Sequence, residues 1–135
     1  MRRLDDRTLV APRQIMPGDI AGVAADGVTL IVNNRPDHEE PDQPRSAEVE
    51  AAARAAGLDY RHIPVSGGFN LDDVLAMADA LDAAEGTALL FCRSGTRSTF
   101  LWALARSERG APAGELVARA AAAGYDLTPI AAYLA

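Results

Sequence analysis

One cysteine, two histidines, few basic residues and no apolar run approaching a membrane span: each shortage narrows what this chain can be. A single thiol closes no internal disulfide, so nothing in the sequence calls for an oxidising compartment. His38 and His62 are too few for a histidine-rich metal site. His38 falls in an acidic loop, where solvation is expected, and His62 alternates along a strand as a half-buried residue would. The start, Met1 to Arg7, carries basic residues with no apolar stretch behind them, so it reads as no signal peptide, and a cytoplasmic location is the default expectation. Thirteen basic residues against nineteen acidic ones leave a net charge of −6, which argues against the basic face that nucleic acid or an anionic membrane requires. No internal repeat is present, and the alanine-rich stretches read as helix formers.

What is present suits a globular domain: hydrophobic residues make up 49% of the 135, enough for one ordinary core and too few residues for two. Residues 1–135 are therefore expected to form a single domain. Pro17 to Ala25 reads as a short helix, with proline in its first turn and Gly27 just past its end. Val28-Thr29-Leu30-Ile31-Val32 is the β-branched run of a strand buried on both faces. Asn33 to Pro44 turns polar and proline-rich, as a mobile loop would. Ser46 and Glu48 open a helix that stops at Gly57, and Tyr60 to Val65 reads as a strand ended by Ser66-Gly67-Gly68. Asn70 is placed to cap a helix over Leu71 to Ala84, with Asp72 and Asp73 in its first turn. Ala88 to Phe91 is a further strand, a helix begins near Ser98, and two more helices follow, Pro112 to Ala123 and Pro129 to Leu134. Strands alternating with helices predict an α/β fold, a mainly parallel sheet with helices on both faces. Ligands bind such sheets beyond the carboxyl ends of the strands.

Cys92 stands at one of those ends. The loop from a strand into a helix aims backbone N–H groups at one spot, and the positive end of the helix dipole reinforces them. Arg93, Ser94, Gly95, Thr96, Arg97 and Ser98 follow, two guanidiniums and three hydroxyls around a glycine, where a buried structural cysteine would need none of them. The pattern predicts a nucleophilic thiolate at Cys92 facing a small oxyanion. Arg97 is expected to clamp that anion and Arg93 to help or to brace the loop, with Ser94, Gly95 and Thr96 lining it. Ser98 reads either as the helix cap or as a hydrogen-bond donor to the thiolate. No cofactor and no metal are implied.

Cys92-Arg93-Ser94-Gly95-Thr96-Arg97 resembles the active-site loop of rhodanese-type sulfurtransferases, whose cysteine carries a persulfide. From about Leu9 to Ala123 the chain resembles the phosphatase-like domain of beta-lactamase-hydrolase-like proteins, relatives of the dual-specificity and tyrosine phosphatases. Residues 30–36, Ile63-Pro64-Val65, and Cys92 with Arg97-Ser98 carry that likeness. It implies a phosphatase-like fold with Cys92 as nucleophile, and a persulfide-oxidising metallo-hydrolase as a candidate partner.

Three departures shape the expected reaction. Four residues separate Cys92 from Arg97, where such phosphatases have five. Phe91 stands in place of their usual histidine, and Ser66-Gly67-Gly68 holds no aspartate to serve as general acid. A site without an acid favours leaving groups that depart as stable anions. Sulfur transfer through a Cys92 persulfide is thus the first expectation from sequence. Phosphate-ester hydrolysis through a cysteinyl-phosphate is the alternative, and a non-catalytic oxyanion-binding module is the third reading.

Overall fold

The computed structural model describes residues 1–135. Five strands form one sheet in the order β1-β2-β5-β3-β4: β1 (Arg2–Asp5), β2 (Thr8–Val10), β3 (Val28–Asn33), β4 (Asp59–His62) and β5 (Thr87–Phe91). β1 runs antiparallel to β2, and the other neighbouring pairs are parallel. The helices are α1 (Ile20–Ala25), α2 (Ser46–Ala55), α3 (Leu71–Ala83), α4 (Thr96–Glu108) and α5 (Ala113–Ala122), with 3-10 turns at Pro17–Asp19 and Thr128–Tyr133.

Strand periodicity divides the core in two, because successive side chains point to opposite faces. Leu30 and Val32 of β3, with Ala88 and Leu90 of β5, face the layer that contains Met77, Leu101, Trp102 and Leu116. Ile31, Leu89 and Phe91 face the smaller layer, with Ile15, Ile20, Val49 and Ala53. The α/β expectation, with helices on both faces of a mainly parallel sheet, is met.

Several details differ from the sequence reading. The N-terminal hairpin was not anticipated; it adds β1 and β2 to the β5 edge, and Trp102 Nε1 ties it to α4 by donating to Asp5 at 2.9 Å. β4 ends at His62, although Ile63 and Val65 still donate to Asn33 and Asn34 carbonyls beside it. The segment after Pro129 is a 3-10 turn rather than a regular helix. Asn70 caps α3 as expected, its side chain accepting from Asp73 N–H at 2.8 Å. α4 begins at Thr96 with Gly95 as its cap, so Ser98 lies inside the first turn and is not the cap. A side chain is disfavoured at Gly95, whose φ is +92° and whose added Cβ would lie 2.8 Å from the Ala11 carbonyl and against the Tyr125 hydroxyl.

Candidate active site

The segments that leave the carboxyl ends of β2, β3, β4 and β5 meet at one edge of the sheet, and the chemistry-bearing side chains collect there. β5 delivers Cys92, which is 1% exposed. The loop then turns sharply enough for Gly95 N–H to donate back to Cys92 Sγ at 3.1 Å. The N-terminus of α4 follows directly, so a backbone N–H and the positive end of the helix dipole lie beside the sulfur.

Arg97, in the first turn of α4, is fixed by two other segments. Its Nη1 donates to Glu39 Oε2 at 2.7 Å and to the Val65 carbonyl at 3.0 Å, while Nη2 donates to Glu39 Oε1 at 2.9 Å. A guanidinium has five N–H donors in a planar fork. Glu39 and Val65 take three, and the two left over, on Nε and Nη2, form one edge of the fork, the geometry that grips two oxygens of an anion. Arg97 is held protonated more firmly than an ordinary arginine, first by Glu39 and then by negative charge at Cys92.

Glu39 belongs to the acidic segment expected to be a mobile, solvated loop. Ion pairs tether that segment instead. Arg35, almost fully buried, donates from Nε to Glu39 at 2.9 Å and from Nη1 to Gln14 at 2.9 Å. Its Nη2 is 3.3 Å from Glu40 but lacks hydrogen-bond alignment and is an orphaned buried donor. Hydrogen bonds from Arg97, then from Arg35, hold the Glu39 carboxyl down at about 2, so it is ionised at neutral pH. Arg35, Glu39, Glu40, Arg93 and Arg97 together line an open depression of about 360 Å³. The largest groove, about 640 Å³ between α3, α4 and the C-terminal turn, is lined by none of the cysteine-loop residues.

The remaining predicted site residues divide by position. Arg93 is exposed and pairs through Nε with Glu40 at 3.1 Å. The Ser94 and Thr96 hydroxyls lie 3.3 Å apart on the outer side of the loop, and both residues are exposed. Ser98 is fully buried and its hydroxyl donates to Asn34 Oδ1 at 2.8 Å, so its proton is committed to the β3 end rather than to Cys92. Asn34 in turn donates to the Ile63 carbonyl at 3.0 Å. Asp72 and Asp73 stay on the first turn of α3. His62 is exposed at the end of β4, with its ring Nε2 2.9 Å from the Arg35 carbonyl, and no cluster of three metal-ligating side chains occurs. Sequence reasoning missed Arg35, Glu39 and Tyr125. The first two sit just past a strand's carboxyl end, the one signal that marked them.

The mainly parallel sheet, with helices on both faces and a cysteine loop running into a helix, matches phosphatase-like folds. Tk-PTP, solved in its active form, shares the fold at TM-score 0.73 and 18% identity, over 98% of this chain and 91% of that one. Pseudomonas aeruginosa TpbA, solved as a cysteine-to-serine variant with phosphotyrosine, shares it at TM-score 0.57 and 17% identity, over 82% and 66%. The likeness is closer to a Neisseria meningitidis protein described as a candidate phosphatase: 33% identity, TM-score 0.84, covering 98% of this chain and 94% of that one.

Residues 1–109 match the family model of the beta-lactamase hydrolase-like protein phosphatase-like domain, and the chain belongs to that family. Curated relatives include beta-lactamase hydrolase-like proteins of Agrobacterium fabrum, 38% identical over 109 residues, and of Xylella fastidiosa, 42% identical over 103 residues. Those matches cover 80% and 75% of this chain but only 25% and 24% of the relatives. The chain thus spans about a quarter of their length. These likenesses support the phosphatase alternative better than sulfur transfer, the reading that sequence had put first.

Proposed function

We propose that the chain is a cysteine-dependent, phosphatase-type hydrolase of activated phosphate monoesters. The observation that carries the reading is the Nε/Nη2 edge of Arg97 that Glu39 and Val65 leave free, close enough to interact with a cysteine that already accepts a backbone N–H. On this reading the Cys92 thiolate attacks phosphorus, the P–O bond to the leaving group breaks, and the leaving oxygen takes the electron pair. Arg97 holds two equatorial oxygens as charge grows on them. Water then cleaves the cysteinyl-phosphate, releasing inorganic phosphate and restoring the thiolate.

Leaving-group preference follows from the carboxylates. Glu39, held at about 2, has no proton to give at neutral pH, and Asp72 and Asp73 stand in the first turn of α3, which Asn70 caps. The leaving group must therefore depart unprotonated, which favours phenolates over alkoxides. The phosphotyrosine held by TpbA belongs to the favoured kind.

The same lack of an acid, with four residues between Cys92 and Arg97, favours a second reading. In it the thiolate attacks the outer sulfur of thiosulfate, the S–S bond breaks, sulfite departs with the electron pair, and Cys92 keeps a persulfide. Intact mass after exposure to para-nitrophenyl phosphate or to thiosulfate separates the two. A phosphoryl gain with nitrophenolate release supports the hydrolase, and a gain of one sulfur supports the transferase. Cys92→Ser is expected to remove either gain. Phosphate binding retained by Cys92→Ser, with no turnover by the native protein, would replace both with a binding module.

A further inference from the structure

The family match ends at residue 109, yet a residue beyond it reaches the cysteine loop. Tyr125, in the segment after α5, donates its hydroxyl to the Ser94 carbonyl at 2.8 Å. The same hydroxyl lies against Gly95, at the place an added Cβ would occupy. Ser94 C=O and Gly95 N–H are the two ends of one peptide unit. That unit is planar and trans, so its carbonyl and N–H point in opposite directions and fixing one fixes the other. The N–H end is the donor to Cys92 Sγ.

We propose that Tyr125 is a positioning residue that locks the Ser94–Gly95 peptide with its N–H toward the sulfur. Without the phenol, rotation of this peptide would turn a carbonyl oxygen toward the thiolate and remove the donor. Glycine at 95, free of a Cβ, makes such rotation accessible, so the lock is needed where the loop is most permissive. A phenol fits this role because burial raises its pKa above the ordinary tyrosine value, keeping it a neutral donor. Arg2 lies over the ring, its guanidinium carbon 5.4 Å from the ring centroid and its Nη1 donating to the Ala123 carbonyl at 3.2 Å. The N-terminal strand and the C-terminal segment thus brace one peptide of the loop.

The test is Tyr125→Phe in the full chain, which keeps the ring and deletes the donor. The Gly95 amide proton resonance is expected to move upfield and to lose protection from exchange. If the proposed hydrolase activity holds, kcat for para-nitrophenyl phosphate falls about tenfold with KM little changed, a fraction of the loss seen when an oxyanion-hole donor is removed. Tyr133→Phe, at a residue 75% exposed, serves as the control that leaves both readouts unchanged. An unmoved Gly95 amide in Tyr125→Phe overturns the lock, whatever the activity. An amide that moves in a protein without turnover keeps the lock and overturns only the hydrolase. Should the variant fail to fold, uniform 3-fluorotyrosine labelling strengthens the donor instead. A downfield Gly95 amide is then expected, and an unchanged one refutes the proposal.

Discussion

Replacing Glu39 by glutamine tests how the anion site is built, because one carboxylate holds both Arg97 and Arg35. The amide keeps one acceptor oxygen and sets an NH2 group against a guanidinium, so the bidentate pair becomes at best a single bond. The fall of the carboxyl from 4.5 to about 2 corresponds at face value to roughly 3 kcal/mol. The side chain is 29% exposed and Arg97's is 26% exposed, so solvent screening reduces the net contribution to about 1–2 kcal/mol. Two measurements follow. At pH 7 the variant should unfold in urea with a free energy lower by about 1–2 kcal/mol, and kcat/KM should fall about 5- to 30-fold as the Nε/Nη2 edge loses its aim. The pH dependence has a definite sign. A carboxyl depressed in the folded state stabilises fully above its unfolded value and loses that contribution as pH falls through its folded one. The stability gap between native protein and variant should therefore narrow from about pH 5 toward about pH 2. Equal stability at pH 7, or a gap that stays constant down to about pH 3, would contradict this role for Glu39.

Arg97→Lys keeps the charge but replaces the fork with a point donor, so kcat/KM for para-nitrophenyl phosphate should drop about 100-fold; a loss under about threefold would show that charge alone suffices. Gly95→Ala places a Cβ against the Tyr125 hydroxyl and the Ala11 carbonyl at a φ of +92°. Calorimetry should find the melting temperature lowered by about 10 °C, from about 2–3 kcal/mol of strain and clash. Ser98→Ala leaves the buried Asn34 Oδ1 without its donor. It should cost about 1–2 kcal/mol in urea unfolding while the iodoacetamide reaction of Cys92 stays within about twofold. A large loss of thiol reactivity at unchanged stability would return Ser98 to the thiolate.

The strand β3 was legible because five consecutive apolar or β-branched residues have few other uses, and α3 because Asn70 and its acidic first turn announce a helix start. Cys92, Gly95 and Arg97 were legible for a related reason: strand, turn and helix are contiguous, so their chemistry is local. The hairpin β1–β2 was not, since Arg2–Asp5 is a charged edge and Thr8–Val10 only three residues long. β2 becomes a strand by pairing with β5 and β1 by pairing with β2, and the Asp5–Trp102 bond, a contact spanning 97 positions, ties the hairpin to α4. Glu39 and Glu40 read as solvated charge because, besides the nearby Arg35, their arginine partners Arg97 and Arg93 lie more than fifty positions away in sequence. Placement of Ser98 failed by two residues, and the shift changes its meaning. With Gly95 as the cap, the third helical position points its hydroxyl down onto the end of β3, where Asn34 waits. The residue types of the proposed nucleophile and clamp therefore stand in one local stretch of the chain, but the number of donors left for an anion could not be read there. That number depends on subtracting what distant groups already take, and at Arg97 the subtraction of Glu39 and Val65 leaves two donors side by side, as a tetrahedral oxyanion requires.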